Sequence, residues 1–440
     1  MGHYLPHTPQ ERQEMLAAVG CTSMDDLFGE LPREVLLKEP LQLPKGQNEL
    51  GVARTMEKLA AKNKVFPTVF RGAGAYRHYI PAIVGSVTSK EEFLTAYTPY
   101  QAEISQGLLQ SIFEYQTMIC ELTGMEASNA SVYDGASAAG EAAAMCRERK
   151  RTKTLVSAGA HPHVIDTLNT YCQGANAKLE VVPLKEGKTD LNALKAMLDD
   201  SISGVYLAQP NFYGLLEDTE EAAALIHEAG AKLILGVNPI AAAILKTPGE
   251  CGADIAVGEG QPLGMSLSFG GPYLGFMACR QELTRRLPGR IVGETTDVDG
   301  RRAYVLTLQA REQHIRREKA GSNVCSNQAL CALTAAVYMA AMGPHGMAEA
   351  ARQCYAKAHY LADGLNQITG FELVYSGEFF HEFITQSTTD PQKLLMALEN
   401  KGILGGLPLE DNRILWCVTE LNTREEMDAV IKAAKEVAGT

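Results

Sequence analysis

The run of small residues from Asn129 to Ala139 has the composition of a phosphate-binding turn. It combines Gly135, which permits close approach of the backbone, with the hydroxyl of Ser137, and it leads into an alanine-rich helix. The free N–H groups at a helix N-terminus attract anions, so the run suits a phosphate group. A plainer interpretation is a tight turn in which Ser137 caps the helix. The run alone leaves both interpretations open.

His161 follows the next predicted strand, which ends at Ser157. A phosphate cup that precedes several parallel strands is similar to the large domain of pyridoxal-phosphate (PLP) enzymes with the aminotransferase-like fold. In such enzymes a residue at this point stacks on the pyridine ring. We therefore consider His161 a candidate stacking residue or a remnant of one. The alternative is a histidine that caps the helix predicted over 163–173.

Two further groups that PLP chemistry needs are missing from the chain. A carboxylate must keep the pyridine nitrogen protonated, and a lysine must form the Schiff base. The carboxylate should follow the strand 233–237, where the chain has Asn238. The lysine should follow the strand 254–257, but no lysine occurs between Lys246 and Lys319. We therefore expect that this chain does not bind the cofactor covalently.

These residues require a framework of alternating strands and helices. Runs rich in β-branched residues are separated by helical patterns at short intervals. The predicted strands are 154–157, 179–182, 204–208, 233–237 and 254–257, and the helices between them lie near 163–173, 190–199 and 219–229. This alternation predicts right-handed βαβ units and a mostly parallel sheet. The fold class is therefore α/β. The similarity of the phosphate cup and its context to PLP enzymes implies a large domain of the PLP-transferase type.

We predict three parts along the chain. Residues 1–70 form an N-terminal arm, which begins with a Thr8 capping box and continues as extended chain from 32 to 50. Residues 71–330 form the large domain, and 331–440 form a linking helix and a small α+β domain. The linking helix spans about 327–368 and is interrupted at Gly343.

Composition excludes several classes of function. A formal net charge of −12 and a pI near 5.4 argue against nucleic-acid binding, which needs clustered Lys and Arg. No run approaches the ~20 apolar residues of a membrane helix, so we expect a cytoplasmic protein. The ten cysteines contain no Cys-x-x-Cys pair and are expected to be reduced. His161 and His163 have no third ligand nearby in sequence, so no metal is expected.

Three longer motifs carry a specific resemblance. They are Tyr97-Thr98-Pro99-Tyr100-Gln101-Ala102-Glu103-Ile104-Ser105-Gln106-Gly107, Asn129-Ala130-Ser131, and Arg311-Glu312-Gln313-His314-Ile315-Arg316-Arg317-Glu318-Lys319-Ala320-Gly321-Ser322-Asn323. The chain resembles glycine dehydrogenase (decarboxylating), the P-protein family of the glycine cleavage system. The resemblance extends over most of the chain, and the length corresponds to subunit 1 of the two-subunit form.

The resemblance implies a division of labour between two subunits. Aligned on Gly270-Gly271-Pro272, the lysine of the family motif falls on Gln261. PLP would then be carried by subunit 2 of an α2β2 heterotetramer and not be bound covalently to this chain. The family decarboxylates glycine and transfers the aminomethyl group to the lipoyl arm of the H-protein. This chain would supply parts of the cleft and of the docking surface.

Residues of the first and third motifs are candidates for an interfacial site, because such sites lie between subunits in this fold. They are Tyr97, Tyr100, Gln101, Glu103, Arg311, His314, Arg316, Ser322 and Asn323. Ser322 and Asn323 have donors suited to a phosphate. The alternative for the arginines is a surface ion-pair network with Glu312 and Glu318.

Two other functions are considered. The chain could be a self-sufficient PLP aminotransferase or desulfurase working as a homodimer, which Gln261 argues against. It could also be a purely structural or regulatory subunit that adds no group to the active site.

Overall fold

We describe the protein from a computed structural model that describes residues 6–39, 41–96 and 99–439. Two compact units make up the chain, Met1–Val65 and Phe66–Thr440. No helix within the described residues is long and apolar enough to cross a membrane. The boundaries that we place at residues 70 and 330 stay predictions.

The first unit lies within the segment 1–70 that we predict as an N-terminal arm. Its regular elements are α1 (Pro9–Ala18), 3-10 turns at Met24–Phe28 and Arg33–Val35, and α2 (Glu49–Ala60). The predicted capping box is present, since the Thr8 hydroxyl accepts the Glu11 N–H at 3.2 Å and the Glu11 carboxylate accepts the Thr8 N–H at 2.6 Å. The segment 32–50, predicted as extended, includes the second 3-10 turn and the start of α2.

The second unit contains the remaining elements. Its α-helices are α3 (Ala82–Thr88), α4 (Glu91–Leu94), α5 (Gln106–Thr123), α6 (Gly135–Cys146), α7 (Pro162–Gly174), α8 (Leu191–Met197), α9 (Thr219–Glu228), α10 (Gln313–Arg316), α11 (Ala329–Asn366), α12 (Pro391–Asn400) and α13 (Arg424–Ala438). Its 3-10 helices are Ala241–Ala243, Gln281–Arg286, Gln309–Arg311 and Arg317–Lys319.

The strands of this unit range from two to eight residues. They are β1 (Thr68–Val69), β2 (Ala127–Ser128), β3 (Lys153–Ser157), β4 (Leu179–Val182), β5 (Leu184–Lys185), β6 (Lys188–Thr189), β7 (Ile202–Gln209), β8 (Lys232–Val237), β9 (Ile255–Glu259), β10 (Gly275–Cys279), β11 (Ile291–Thr296), β12 (Arg302–Thr307), β13 (Phe371–Leu373), β14 (Glu382–Ser387), β15 (Ile403–Leu404), β16 (Leu407–Leu409) and β17 (Arg413–Cys417).

A seven-stranded sheet with the order β2-β10-β9-β8-β7-β3-β4 is the centre of the second unit. The five predicted strands are its parallel members β3, β4, β7, β8 and β9, with ends within two residues of the prediction. β10 pairs antiparallel with β9 and with β2. Strands β3, β7, β8, β9 and β10 are buried over most of their length, which is why they are nearly continuous apolar runs, whereas the edge strand β4 is partly exposed.

A four-stranded antiparallel sheet, β13-β14-β17-β16, forms a second layer near the C-terminus. Helices α12, α13 and the later part of α11 pack with it around the buried Trp416. The helix α11 changes direction at Gly343, whose φ of 60° and ψ of 176° are not helical, as predicted for the interruption. β1 pairs in parallel with β15, so the segment that follows β1 lies beside this sheet.

Candidate functional site

A cavity of about 1030 Å³, here called the central cavity, lies at the carboxyl ends of β7, β8 and β9 and at the N-terminus of α6. Ligands bind at this edge of α/β sheets because loops and helix N-termini converge there. The predicted residues Gly135, Ser137, His161 and Asn238 all lie on its wall. The loop 73–76 completes the wall on another side.

The helix α6 is capped by Asp134. Its Oδ1 accepts the N–H of Ser137 at 2.7 Å, so the capping side chain is the aspartate and not, as in our plainer interpretation, Ser137. Gly135 is required here by close packing, because a Cβ at this position would lie 2.8 Å from the backbone nitrogen of Glu259. The turn and the end of β9 are therefore in direct contact.

A carboxylate of the chain itself fills the phosphate cup. Glu259 Oε2 accepts the N–H of Gly135 at 3.0 Å, and Oε1 accepts the N–H groups of Gln261 and Leu274, each at 3.0 Å. Burial raises the pKa of Glu259 to about 7, against the opposing effect of these three donors. The anion that this helix N-terminus attracts is thus supplied internally.

Gln261 is fully buried, and its side-chain amide is committed to the loop 73–76. Oε1 accepts the N–H of Tyr76 at 2.9 Å, while Nε2 donates to the carbonyl oxygens of Tyr76 and Met265, both at 2.8 Å. A lysine has donors but no acceptor, so it could not make the bond to the Tyr76 N–H. Gln261 therefore joins two loops of the cavity wall.

Asn238 directly follows β8, where the pyridine-binding carboxylate was expected. Its Oδ1 accepts the N–H groups of Ile240 at 2.9 Å and Ala241 at 3.1 Å. The side chain therefore stabilises the short 3-10 turn that follows.

His161 caps α7, as in our alternative interpretation. Its Nδ1 accepts the N–H of His163 at 3.1 Å, which leaves Nε2 protonated and able to donate to the Ala73 carbonyl at 3.0 Å. Burial lowers the pKa of His161, so the ring is neutral near pH 7. Both ring nitrogens are occupied, while the ring remains on the cavity wall.

Glu382 fixes the loop 73–76 and was not predicted as a site residue. Oε1 accepts the N–H of Ala73 at 2.6 Å, and Oε2 accepts the Tyr76 hydroxyl at 2.8 Å. Burial raises the pKa of Glu382 to about 7. The loop is therefore attached to β14 by Glu382 and to the end of β9 by Gln261.

A second cavity, of about 310 Å³ and here called the basic cavity, lies between the end of α6 and the segment 311–324. Six cationic side chains line it: Arg147, Arg285, Arg286, Arg311, Arg316 and Lys319. Two carboxylates, Glu141 and Glu312, face them. Glu312 forms its ion pair with Arg290, and burial raises the pKa of Glu141, so positive charge dominates the cavity.

Arg311 is held in place by the backbone at the edge of the basic cavity. One Nη donates to the Gly289 carbonyl at 2.6 Å, and burial together with Arg290 lowers its pKa to about 10. Its buried Nε has no hydrogen-bond partner in the described part of the chain. The same holds for Nε of Arg147. Buried donors of this kind favour an anionic ligand.

The family model for the glycine cleavage system P-protein matches residues 2–434. The chain is 51% identical to probable glycine dehydrogenase (decarboxylating) subunit 1 of Moorella thermoacetica, with 99% of each chain covered. It is also 51% identical to the protein of the same name from Carboxydothermus hydrogenoformans, with 98% of each covered. The chain belongs to the P-protein family.

Solved structures agree with this P-protein assignment. A crystal structure of glycine decarboxylase (P-protein) of the glycine cleavage system, in inhibitor-bound form, is 44% identical with a TM-score of 0.92, covering 99% of this chain and 100% of that one. A sphingosine-1-phosphate lyase of Burkholderia pseudomallei, 14% identical with a TM-score of 0.67 and 92% and 93% coverage, shares the fold alone. The predicted PLP-transferase fold and the prediction of P-protein subunit 1 are confirmed.

The central cavity of this P-protein chain does not fit PLP. Glu259 occupies the N–H group that a phosphate would need, Gln261 replaces the lysine, and Asn238 caps a turn instead of presenting a carboxylate. Repulsion between an ionised Glu259 and a phosphate would further disfavour the cofactor.

The residues predicted to form an interfacial site lie in different parts of the P-protein chain. Arg311, Arg316 and Ser322 line the basic cavity. Gln101, Glu103, His314 and Asn323 are exposed, and Tyr97 lies outside the described residues. Tyr100 is partly buried, and its hydroxyl donates to Asn327 Oδ1. The structure therefore brings together only three of the candidates.

The alternative prediction for the arginines is an ion-pair network with Glu312 and Glu318. In the structure Glu312 contacts other residues. Glu312 pairs with Arg290 and lies 3.9 Å from His314 Nδ1. Tyr100 joins this group, since the Arg290 guanidinium lies over its ring, 5.4 Å from the centroid. Neither Arg311 nor Arg316 forms an ion pair with Glu312 or Glu318 within the described ranges.

Proposed function

We propose that this chain is the half of a split glycine decarboxylase that lacks the cofactor lysine, and that PLP is carried by subunit 2. The complex decarboxylates glycine and passes the aminomethyl group to the lipoyl arm of the H-protein. PLP bound by the partner supplies the electron sink for this reaction. The presence of Gln261 carries the proposal, because a carboxamide cannot form a Schiff base and this one is committed to hydrogen bonds with Tyr76 and Met265.

The basic cavity is the part of this chain that we assign to the partner's active site. Its excess of cations and its buried, unpartnered guanidinium nitrogens suit the phosphate of a cofactor held by the neighbouring subunit. Ser322 lies on its wall and Asn323 follows directly. Arg311, fixed by Gly289, gives the site a preorganised charge.

The first unit is the part that we assign to contact with subunit 2. Sixteen of the 28 exposed large apolar side chains among the described residues belong to its 65 residues, and within it only Leu16 is buried. Exposed apolar surface of this extent marks a protein interface. An α2β2 assembly and a cytosolic location remain predictions.

Borohydride trapping tests where the cofactor is held. The chain is mixed with subunit 2 and PLP, reduced, and both polypeptides are analysed by mass spectrometry. We expect the pyridoxyl group on subunit 2 alone. A pyridoxyl-lysine on this chain, or a yellow colour of this chain purified by itself, would support the self-sufficient PLP enzyme instead.

Substitutions in the segment 322–326 separate an active-site contribution from scaffolding. Ser322→Ala and Asn323→Ala should lower turnover of the reconstituted complex roughly tenfold or more, the effect of losing a hydrogen bond to a charged group. Ser326→Ala is the matched control for Ser322→Ala, because Ser326 is exposed and lies outside the basic cavity. Unchanged turnover with the assembly intact would favour a purely structural subunit.

A further inference from the structure

Three potential metal ligands from distant parts of the chain lie close together, and one of them, His78, follows the loop 73–76 by two residues. His78 Nδ1 lies 2.8 Å from Glu420 Oε2, and Cys354 Sγ lies 3.3 Å from the same oxygen. One ligand atom of each residue lies within 4.8 Å of the others. We call these residues the His78 cluster. Sequence spacing does not predict it, because 342 residues separate His78 from Glu420.

The His78 cluster is sheltered from solvent and has unused polar atoms. His78 and Cys354 are buried, and the side chain of Glu420 is 11% exposed. His78 Nε2 is buried without a hydrogen-bond partner among the residues described. His381, 1% exposed, stacks against His78 with ring centroids 6.5 Å apart, and neither of its nitrogens is bonded in the described part of the structure. Unpaired buried polar atoms are costly, so their presence calls for a partner.

We propose that His78, Cys354 and Glu420 bind one divalent zinc-like transition-metal ion, with water or His381 in the fourth position. Imidazole, thiolate and carboxylate together form a donor set typical of tetrahedral Zn²⁺. The thiolate and carboxylate charges balance the dication. In a tetrahedral site with bonds of about 2.0 to 2.3 Å, neighbouring ligand atoms are roughly 3.3 to 3.8 Å apart. The cluster reaches these separations by small side-chain movements.

The charged surroundings of the cluster are compatible with this ion. Lys357 is a cation close to the cluster, and its Nζ donates to the backbone carbonyl of Glu420 rather than to the carboxylate. Glu420 Oε1 accepts the Tyr79 N–H at 2.6 Å, which orients the carboxylate and leaves Oε2 for the ion. Binding displaces the proton of the Cys354 thiol, which leaves to solvent or buffer.

The site has a structural consequence for the central cavity. His78 lies two residues after Tyr76, which Gln261 and Glu382 already hold. A metal would join this segment to α11, which carries Cys354, and to the chain after β17, which carries Glu420. Three sequence-distant segments would then be cross-linked beside the cavity wall.

Metal analysis of the reconstituted two-subunit complex tests the site. After equilibration with Zn²⁺ and removal of free metal, we expect about one zinc per copy of this chain, as a closed site requires. X-ray absorption at the zinc edge should show one sulfur near ~2.3 Å and lighter ligands near ~2.0 to 2.1 Å. This experiment uses the unmodified protein. The proposal would be overturned if no zinc were retained, or if the retained zinc had no sulfur ligand.

Paired variants locate the ion. Cys354→Ser and Glu420→Gln should each weaken zinc binding by roughly a hundredfold or more. Cys251→Ser is the matched control, since Cys251 is also buried but bonds the Lys246 carbonyl. Glu420→Gln keeps the size of the side chain and an acceptor for Tyr79. Equal zinc content in a folded Glu420→Gln protein and in the control would rule out this cluster as the binding site.

Discussion

Glu259 places a titratable group at the helix N-terminus where an external anion would otherwise bind. Burial raises its pKa from 4.5 to about 7. Between these values the folded chain binds a proton that the unfolded chain has released. The contribution of this group to the free energy of unfolding is therefore largest below about pH 4.5. It decreases as the pH rises and is lost once the pH has passed through about 7.

The substitution Glu259→Gln should isolate this effect. We expect the free energy of unfolding of the native chain to fall relative to the variant between pH 5 and pH 8, by up to about 3 kcal/mol at about 1.4 kcal/mol per pH unit. Denaturant or thermal unfolding at several pH values measures the difference. The exposed Glu92→Gln serves as the control. A native-minus-variant difference that does not change with pH would contradict the expectation.

The substitution Gln261→Ala should destabilise the chain strongly, although it shortens only one side chain. The change removes three hydrogen bonds and leaves the partly buried N–H and carbonyl of Tyr76 without these partners, at a cost of roughly 2 to 5 kcal/mol. Gln173→Ala, at an exposed position on α7, should change stability by less than about 0.5 kcal/mol. Unfolding experiments on the two variants compare them, and equal stabilities would mean that Gln261 does not hold the loop.

Sequence reasoning located the position of Gln261 but not its bonds. Asn238, Gly135 and His161 could be placed on one wall because the carboxyl ends of parallel strands share one edge. Glu259 was not predicted, because its burial depends on contacts with Gly135, 124 residues away. A carboxylate directly at the end of an apolar strand was the one available signal. No sequence signal indicated Glu382, which lies 309 residues from its hydrogen-bond partner Ala73.

At the scale of elements, the change of direction in α11 depends on a single glycine. Gly343 has φ 60° and ψ 176°, a conformation almost restricted to glycine, and a Cβ there would meet no atom within 4 Å. Gly343→Ala should therefore lower the free energy of unfolding by about 1 to 3 kcal/mol through backbone strain alone. Thermal or denaturant unfolding measures the loss.

A second glycine of the same helix provides the control for this strain. Gly346 is helical, and a Cβ would be 3.4 Å from the Met342 side chain. Gly346→Ala should be neutral or stabilise by up to about 1 kcal/mol, because alanine favours the helix. Similar losses in both variants would show that the backbone at Gly343 is not the cause.

The elements that sequence patterns missed share a physical reason. β10 follows β9 with no intervening helix, and its apolar run Gly275–Cys279 is the same whether the strand is parallel or antiparallel. The hairpin of β11 and β12 is half exposed and rich in polar residues, so it lacks a clear apolar pattern. The central parallel strands β3, β7, β8 and β9 were predictable because burial on both faces makes them nearly continuous apolar runs.

At the scale of the whole molecule, the first unit is the clearest sign that the chain does not act alone. Leu41 and Leu43 are 65% and 73% exposed within a segment without regular structure. Burying a leucine contributes roughly 1.5 to 3 kcal/mol, so a few such residues can supply much of the affinity for a partner. In the proposed complex these side chains contact subunit 2.

The double variant Leu41→Asp/Leu43→Asp should therefore weaken association with subunit 2 by roughly a hundredfold or more, since each leucine loses its burial and each new carboxylate must be desolvated. Analytical ultracentrifugation of the mixed subunits measures the affinity. Gln42→Asp/Gln47→Asp adds the same two charges to the same exposed segment without removing apolar surface, and should bind almost normally. If both variants bind equally well, the arm does not contact the partner. If both bind equally poorly, added charge and not lost apolar contact controls assembly.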